Sequence, residues 1–495
     1  MTNPSTAKTM IGLPLSRRQV LGRLGLGMGS MAFSSLLHGA TSPSGADSTH
    51  QGLPGLPHFA PRAKRVIFLF MSGGPSHVDS FDYKPQLNKL QGQSLPESFR
   101  KGKQSLPGMS GNQTLFQLKG SPYPFTRCGQ SGAWISSAFP HLAQVADELC
   151  FVKSMQSDSV NHDPAITFIQ TGSPIAGRPS AGSWIQYGLG RENENLPAFV
   201  VLISRRPVDQ PLSSKLWGSG FLPAKYEGVQ FRAAKDPVLY LSNPPGITTE
   251  ANRLMLDGLH ELQAAQPAGQ GSRDLDARWE SYEMAFRMQT AIPEVTDLSR
   301  EPAHMYDLYG KDAATPGTFA ANCLQARRLA ERGVRFIQLF HPGWDQHSNM
   351  ENDFPVSSRE VDQASAALIT DLKERGMLKD TLVVWGGEFG RTPYLQGRVG
   401  KDNKGGRDHH PNCFTFWMAG GGVKPGFIYG ESDELGYHVA QNPVHVHDFH
   451  ATMLHLMGIN HERFTYPFQG RDFRLTDVSG RVVKEILAGG GTRGV

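Results

Sequence analysis

The sequence predicts an α/β fold: a predominantly parallel sheet with helices on both faces, carrying an inserted irregular and helical cap. Three observations predict it. Short continuous apolar runs recur along the chain, as strands buried on both faces require. From residue 318 these runs alternate with helical segments, the economical pattern of a covered parallel sheet. Glycine stands where several helices should stop, at Gly333, Gly376 and Gly458.

The elements follow in order. Residues 1–40 read as an address: SRRQVLG from Ser16, a weakly apolar stretch from Leu21 to Leu37, then small residues at Gly39-Ala40. Paired Arg17-Arg18 before a mild apolar run is the pattern of a twin-arginine export signal. It implies the twin-arginine machinery as a partner and a periplasmic or extracellular location, anchored if the signal is kept. Residues 41–61 are rich in Ser, Pro and Gly and read as a flexible linker. The folded domain is expected over 62–480, with a tail over 481–495.

Within it, VIFLFM between Arg65 and Ser72, LCFVKSM at 149–155 and AFVVLI at 198–203 are strands. Residues 205–310 differ: Pro/Gly-rich stretches and two polar helices, about 250–264 and 272–292, form the insertion. TFAANCLQARRLAER is a helix, VRFIQLF (334–340) a strand, SSREVDQASAALITDLKER a helix and TLVVWGG (381–387) a strand. CFTFWMAGGG (413–422) is a further strand, and HDFHATMLHLMG (447–458) a closing helix. His445, His447, His450 and His455 are expected at the start or surface of that helix.

The composition narrows the function classes. The chain has 495 residues, 39% hydrophobic and 19% charged, enough for a sizeable core. The net charge of +4 resides in residues 1–40, which hold Lys8, Arg17, Arg18 and Arg23 and no acid. The remainder is neutral, with no electrostatic argument for nucleic acid or an anionic membrane. No later segment has 18 uninterrupted apolar residues, so no transmembrane segment is expected in the mature chain. Four Cys exclude a disulfide scaffold, and a protein folded before export has no obligatory disulfide.

The informative polar residues cluster at strand ends. His77 and Asp79 follow the first strand, and His162 and Asp163 the second. Asp345 and His347 follow 334–340, and Glu388 follows 381–387. Asp408, His409 and His410 stand just before 413–419. In a parallel sheet these ends share one edge, where ligands bind. Each cluster alone is an ordinary hydrogen-bonded turn; together they suggest one metal centre. The expected ligands are His77, Asp79, Asp345, His347, Glu388, Asp408 and His409. Imidazole and carboxylate suit one or two divalent ions, zinc foremost, with manganese, iron or calcium as alternatives. Arg391, three residues past Glu388, is a candidate clamp for phosphate or sulfate, against the plainer reading of a salt bridge.

These motifs resemble a family of exported bacterial proteins known as domain of unknown function 1501, within the alkaline phosphatase/sulfatase-like superfamily. MSGGPSHVDSFD, the Thr171-Gly172 pair, GWDQHSN, VVWGGEFGRTP, GRDHHP and the DFHATMLHLMG helix carry the resemblance over about residues 60–480. It implies an alkaline-phosphatase-like fold and a nucleophile at a helix N-terminus, nine residues before Thr-Gly. That position holds His162 here, so a formylglycine sulfatase is excluded. The superfamily's carboxylate after the first strand is replaced by Ser72-Gly73, and its Asp-His/Asn-Gly by Glu388-Phe389-Gly390. Three roles for His162 stay open: nucleophile, general base and metal ligand, with the last two together favoured.

The function expected is an exported metal-dependent hydrolase acting on a phosphate or sulfate ester through a His/Asp/Glu metal site. Its partner is an anionic ester or a sulfated or phosphorylated glycan. The alternative is a non-catalytic, metal-stabilised protein that binds a glycan or surface partner.

Overall fold

The computed structural model describes residues 52–489 except 101–112, 207–209, 235, 240, 265–271 and 397–404. Residues 1–51, which include the expected export signal and part of the expected linker, and residues 490–495 of the expected tail lie outside the described residues.

The strands that matter are, in chain order, β1 (Arg65–Ser72), β2 (Leu149–Gln156), β3 (Phe199–Ile203), β4 (Val229–Phe231), β5 (Phe336–Pro342), β6 (Thr381–Gly386), β7 (Gly390–Leu395), β8 (Arg407–His410), β9 (Phe414–Ala419), β10 (Phe427–Tyr429) and β11 (Val444–His445). Nine of them form one sheet in the order β10-β2-β9-β6-β1-β5-β3-β4, with β11 also beside β2. β7 and β8 form a separate antiparallel hairpin. The α/β class, with a mostly parallel sheet, is as the apolar runs require.

β1 lies at the centre, parallel to β5 on one side and β6 on the other. Its side chains alternate between two cores, as the two-residue period of a strand dictates. Ile67, Leu69 and Met71 join the core on one face. Val66, Phe68 and Phe70 join the core on the other. The second face is covered by α1 (His162–Thr171), α2 (Ala181–Leu189) and the C-terminal helix. The first is covered from the insertion and by two later helices. Of the longer helices, α3 (Thr249–Ala264) and α4 (Ser272–Thr296) belong to the insertion, α5 (Phe319–Glu331) and α6 (Met350–Glu374) are the two later ones, and α7 (Val446–Leu456) is the C-terminal helix. Local chemistry starts them: the Ser180 and Thr318 side chains cap α2 and α5, and His445 with Asp448 forms a capping box on α7.

Two differences from the sequence reading have physical causes. The insertion supplies more than a cap, because β4 within it extends the sheet edge beside β3. Three residues are too few to display a strand period. His450 is fully buried rather than superficial, because α7 packs that face beneath α1, where its Nε2 donates to the Ile169 carbonyl at 2.8 Å. β9 is the one antiparallel member of the inner sheet, set between β2 and β6. Its beginning therefore lies at the edge where the parallel strands end. No helix among the described residues is long and apolar enough to cross a membrane.

Burial pushes the His450 pKa down to about 3, with help from nearby His447. The unfolded chain binds that proton near pH 6.5 while the folded chain refuses it. The stability at stake is whole above pH 6.5 and drains as pH falls toward 3. His450→Gln keeps a donor for Ile169 and removes the titration. Between pH 7.5 and 5 the variant should lose about 2 kcal/mol less than wild type in urea unfolding. Equal losses would assign the acid sensitivity to other groups.

Candidate metal centre

Four segments deliver the centre. His162 is the first residue of α1, beyond the end of β2. Asp345 and His347 lie in the loop after β5, and Glu388 in the loop after β6. His409 lies on β8, directly opposite Arg391 of β7. His162, Asp345, His347 and His409 each offer a ligand atom within 4.8 Å of all the others.

Asp345 is the hub. Its Oδ2 lies 3.1 Å from His162 Nε2. Its Oδ1 lies 2.8 Å from His347 Nε2 and 3.1 Å from His409 Nε2. Each imidazole spends its other nitrogen elsewhere. His162 Nδ1 meets Glu388 Oε1 at 2.6 Å, and His409 Nδ1 meets the Val160 carbonyl at 2.8 Å. His347 Nδ1 meets Gln396 Oε1. Outer partners of this kind fix the tautomer of a metal-binding histidine and aim its free nitrogen inward.

The donor set fits a cation. A backbone carbonyl only accepts, so His409 Nδ1 carries a proton. Burial, offset in part by Asp345, moves the His409 pKa down to about 4, so the ring is neutral near pH 7. Its Nε2 lone pair then faces a carboxylate oxygen, which is repulsive unless a cation stands between them. Burial opposes charge on His162, yet the Asp345 and Glu388 carboxylates prevail and raise its pKa to about 9. Burial likewise opposes charge on Asp345, but the three imidazoles and Arg391 hold its pKa far below the carboxylate range. The cluster is thus anionic at its hub and lined by imidazole nitrogens.

Glu388 is fully buried and sits one layer out, accepting from the Gly73 N–H at 2.9 and 3.2 Å. Gly73 has φ +118°, and a Cβ there would lie 2.5 Å from the Asp345 nitrogen, so only glycine permits this approach. Arg391 is likewise buried. Its guanidinium donates to the carbonyls of Gly73, Gly74, Trp344 and Arg407 and, at 2.7 Å, to Asp345. That is the salt-bridge arrangement, directed inward. Phe389 packs against His162 and His409, with ring centroids 5.2 and 4.4 Å away. The Asp345 side chain is 26% exposed against 0% for Glu388, so the centre opens to solvent on the Asp345 side.

The remaining expected ligands are placed elsewhere. Asp79 is fully buried and engaged by Arg407, at 2.7 Å from Nε and 3.2 Å from Nη2, and by Ser76. His77 joins a second group with Asp82 and Cys413. Asp408 accepts from the His409 backbone N–H at 2.8 Å and is not among the four clustered ligands. Sequence reading missed Gln396 and the Val160 carbonyl. Neither has a signature, because their roles depend on the β7–β8 register and the turn before α1.

The Asp79–Arg407 pair is structural in this arrangement. Asp79→Asn should cost about 3–5 kcal/mol in denaturant unfolding, because it strands a buried guanidinium. Bound metal per folded chain should stay unchanged. Loss of metal from correctly folded Asp79→Asn protein would make Asp79 a ligand after all.

A family profile described as "Protein of unknown function (DUF1501)" matches residues 63–487. No curated protein matches the chain. Among solved structures, the chain is similar to a phosphonate monoester hydrolase from Silicibacter pomeroyi, at 13% identity and TM-score 0.32, covering 72% of each chain. It is similar to a protein in the alkaline phosphatase superfamily from Vibrio parahaemolyticus, at 11% identity and TM-score 0.33, covering 88% of this chain and 75% of that one. It is also similar to the PsFucS1 sulfatase from Pseudoalteromonas sp., at 12% identity and TM-score 0.31, covering 81% and 68%. With the profile spanning nearly the whole described domain, the chain belongs to the DUF1501 family.

Proposed function

We propose that this protein is an exported, metal-dependent hydrolase of phosphate or sulfate esters. The observation that carries the reading is the convergence of three histidine Nε2 atoms on one solvent-facing carboxylate, each Nδ1 held by an outer partner. The motif resemblance to the alkaline phosphatase/sulfatase-like superfamily supports the reaction class.

His162, His347, His409 and Asp345 would hold the ion. A divalent ion there supplies Lewis acidity toward an ester oxygen and a nucleophile at neutral pH. The chain's own groups do the rest. Glu388 keeps the proton on His162 Nδ1 and the ring fixed. Arg391 holds Asp345 in place and so acts as a positioning residue. Phe389 forms a dry wall, which strengthens electrostatic interactions beside it. Lys215, paired with Asp163 next to His162, is a partly exposed cation at the rim suited to meet an anionic ester. His162 Nδ1 is held by Glu388 and its Nε2 lies among the other ligand atoms, 3.1 Å from Asp345 Oδ2, which favours the ligand role over a phospho-histidine nucleophile.

One observation favours the alternative of a metal-stabilised binding protein. The Arg391 guanidinium is turned wholly inward and offers no fork to a substrate oxyanion.

The test is metal content by plasma mass spectrometry, followed by turnover of p-nitrophenyl phosphate, bis-p-nitrophenyl phosphate and p-nitrophenyl sulfate. Wild type should carry a transition metal that Asp345→Ala and His347→Ala lose. Glu388→Gln and Gln396→Ala should each weaken metal affinity roughly 10–100-fold. Metal-loaded protein inert on all three esters supports the binding reading instead. Protein that folds without metal and takes none up removes both. The export part of the proposal has its own check: Arg17→Lys with Arg18→Lys should retain the protein inside the cell.

A further inference from the structure

One residue expected at the first centre, His77, belongs to a second group. His77, on the single helical turn His77–Ser80, lies with Asp82 and Cys413 so that one ligand atom of each falls within 4.8 Å of the others. All three are buried, with exposures of 1%, 2% and 0%. We propose that His77 Nδ1, the Asp82 carboxylate and Cys413 Sγ supply three ligands to a second, buried transition-metal ion, of the zinc class, that stabilises the fold.

Three observations carry this. First, His77 Nε2 donates to the Gly436 carbonyl at 2.9 Å, which leaves Nδ1 with its lone pair directed into the cluster. That Nδ1 is buried with no hydrogen-bond partner, a costly state without a Lewis acid. Second, position 390 tolerates no side chain against the cluster. A Cβ on Gly390 would stand 2.6 Å from His77 Nδ1 and 2.6 Å from the Cys413 carbonyl. Third, the donor types agree. Thiolate, imidazole and carboxylate together select zinc or its neighbours over magnesium or calcium.

The charge balance is workable. Asp82 is paired with Lys84 at 3.1 Å, lies 3.9 Å from Lys153 and accepts from Ser432. A carboxylate has about four acceptor sites, so these partners do not exhaust it. Cys413 donates weakly to the Lys153 carbonyl at 3.7 Å and, on binding, gives its proton to solvent and meets the ion as thiolate. The two centres differ in hardness: the first is all nitrogen and oxygen, the second contains sulfur.

That difference supplies the test. The full chain is produced in medium in which cobalt replaces zinc, so that a closed site fills during folding. Cobalt bound by a thiolate gives an intense near-ultraviolet charge-transfer absorption that nitrogen and oxygen ligands do not. The band should appear in wild type and in Cys128→Ser, which removes the half-buried thiol, and should vanish in Cys413→Ser. Asp345→Ala should lose the first centre's cobalt and keep the band, which reads the second site without altering its own residues. A wild-type protein with cobalt but no band overturns the proposal, as does a band that survives Cys413→Ser. An Asp345→Ala protein that folds without cobalt overturns it too. The result does not depend on whether the first centre turns over an ester.

Discussion

One carboxylate organises the functional edge of this molecule. Asp345 gathers three imidazoles and a guanidinium from four separate segments. A buried ionic cluster survives only when its members are otherwise fully hydrogen-bonded. That requirement explains the second row. Glu388, Gln396 and the Val160 carbonyl occupy the outward nitrogens, and four backbone carbonyls surround Arg391. The sheet makes the gathering possible. β5 and β6 flank β1 in parallel, so their following loops emerge side by side. β9 runs the other way, so the hairpin that precedes it arrives at the same edge.

Much of this was legible in the sequence, for definite reasons. Strands buried on both faces announce themselves as apolar runs, and residues after such runs must lie at one edge. That logic placed His162, Asp345, His347 and His409 together. It could not rank them against His77, Asp79 and Asp408, because strand-end position fixes a side chain to within several ångströms, not to a ligand shell. Asp79, like Asp345, follows the end of a central strand, yet Arg407 of β8 captures it. Arg407 and His409 share one short strand, so the hairpin decides both outcomes at once. Its register spans a long sequence gap and has no local signal. His450 was misplaced for a related reason: α7 has polar residues on several sides, and which side faces α1 is a tertiary fact.

The two clusters use one device in opposite settings. In both, a backbone carbonyl fixes a histidine tautomer, at Val160 for His409 and at Gly436 for His77. At the first, the hub carboxylate faces solvent and the surrounding imidazoles are mutually crowded, so a bound ion keeps an approach for a ligand from outside. At the second, every donor is buried and Lys84 and Lys153 stand beside the carboxylate. A sealed ion has no room for a substrate, so whatever free energy it contributes goes into the fold. The second cluster touches β7 through Gly390, and β7 carries Arg391, which holds Asp345. The sealed cluster therefore braces the hairpin on which the geometry of the open one rests. His77, which the sequence offered as a ligand beside Asp345, is better understood as part of a support for that centre, joined to it by Gly390 and the adjacent Arg391.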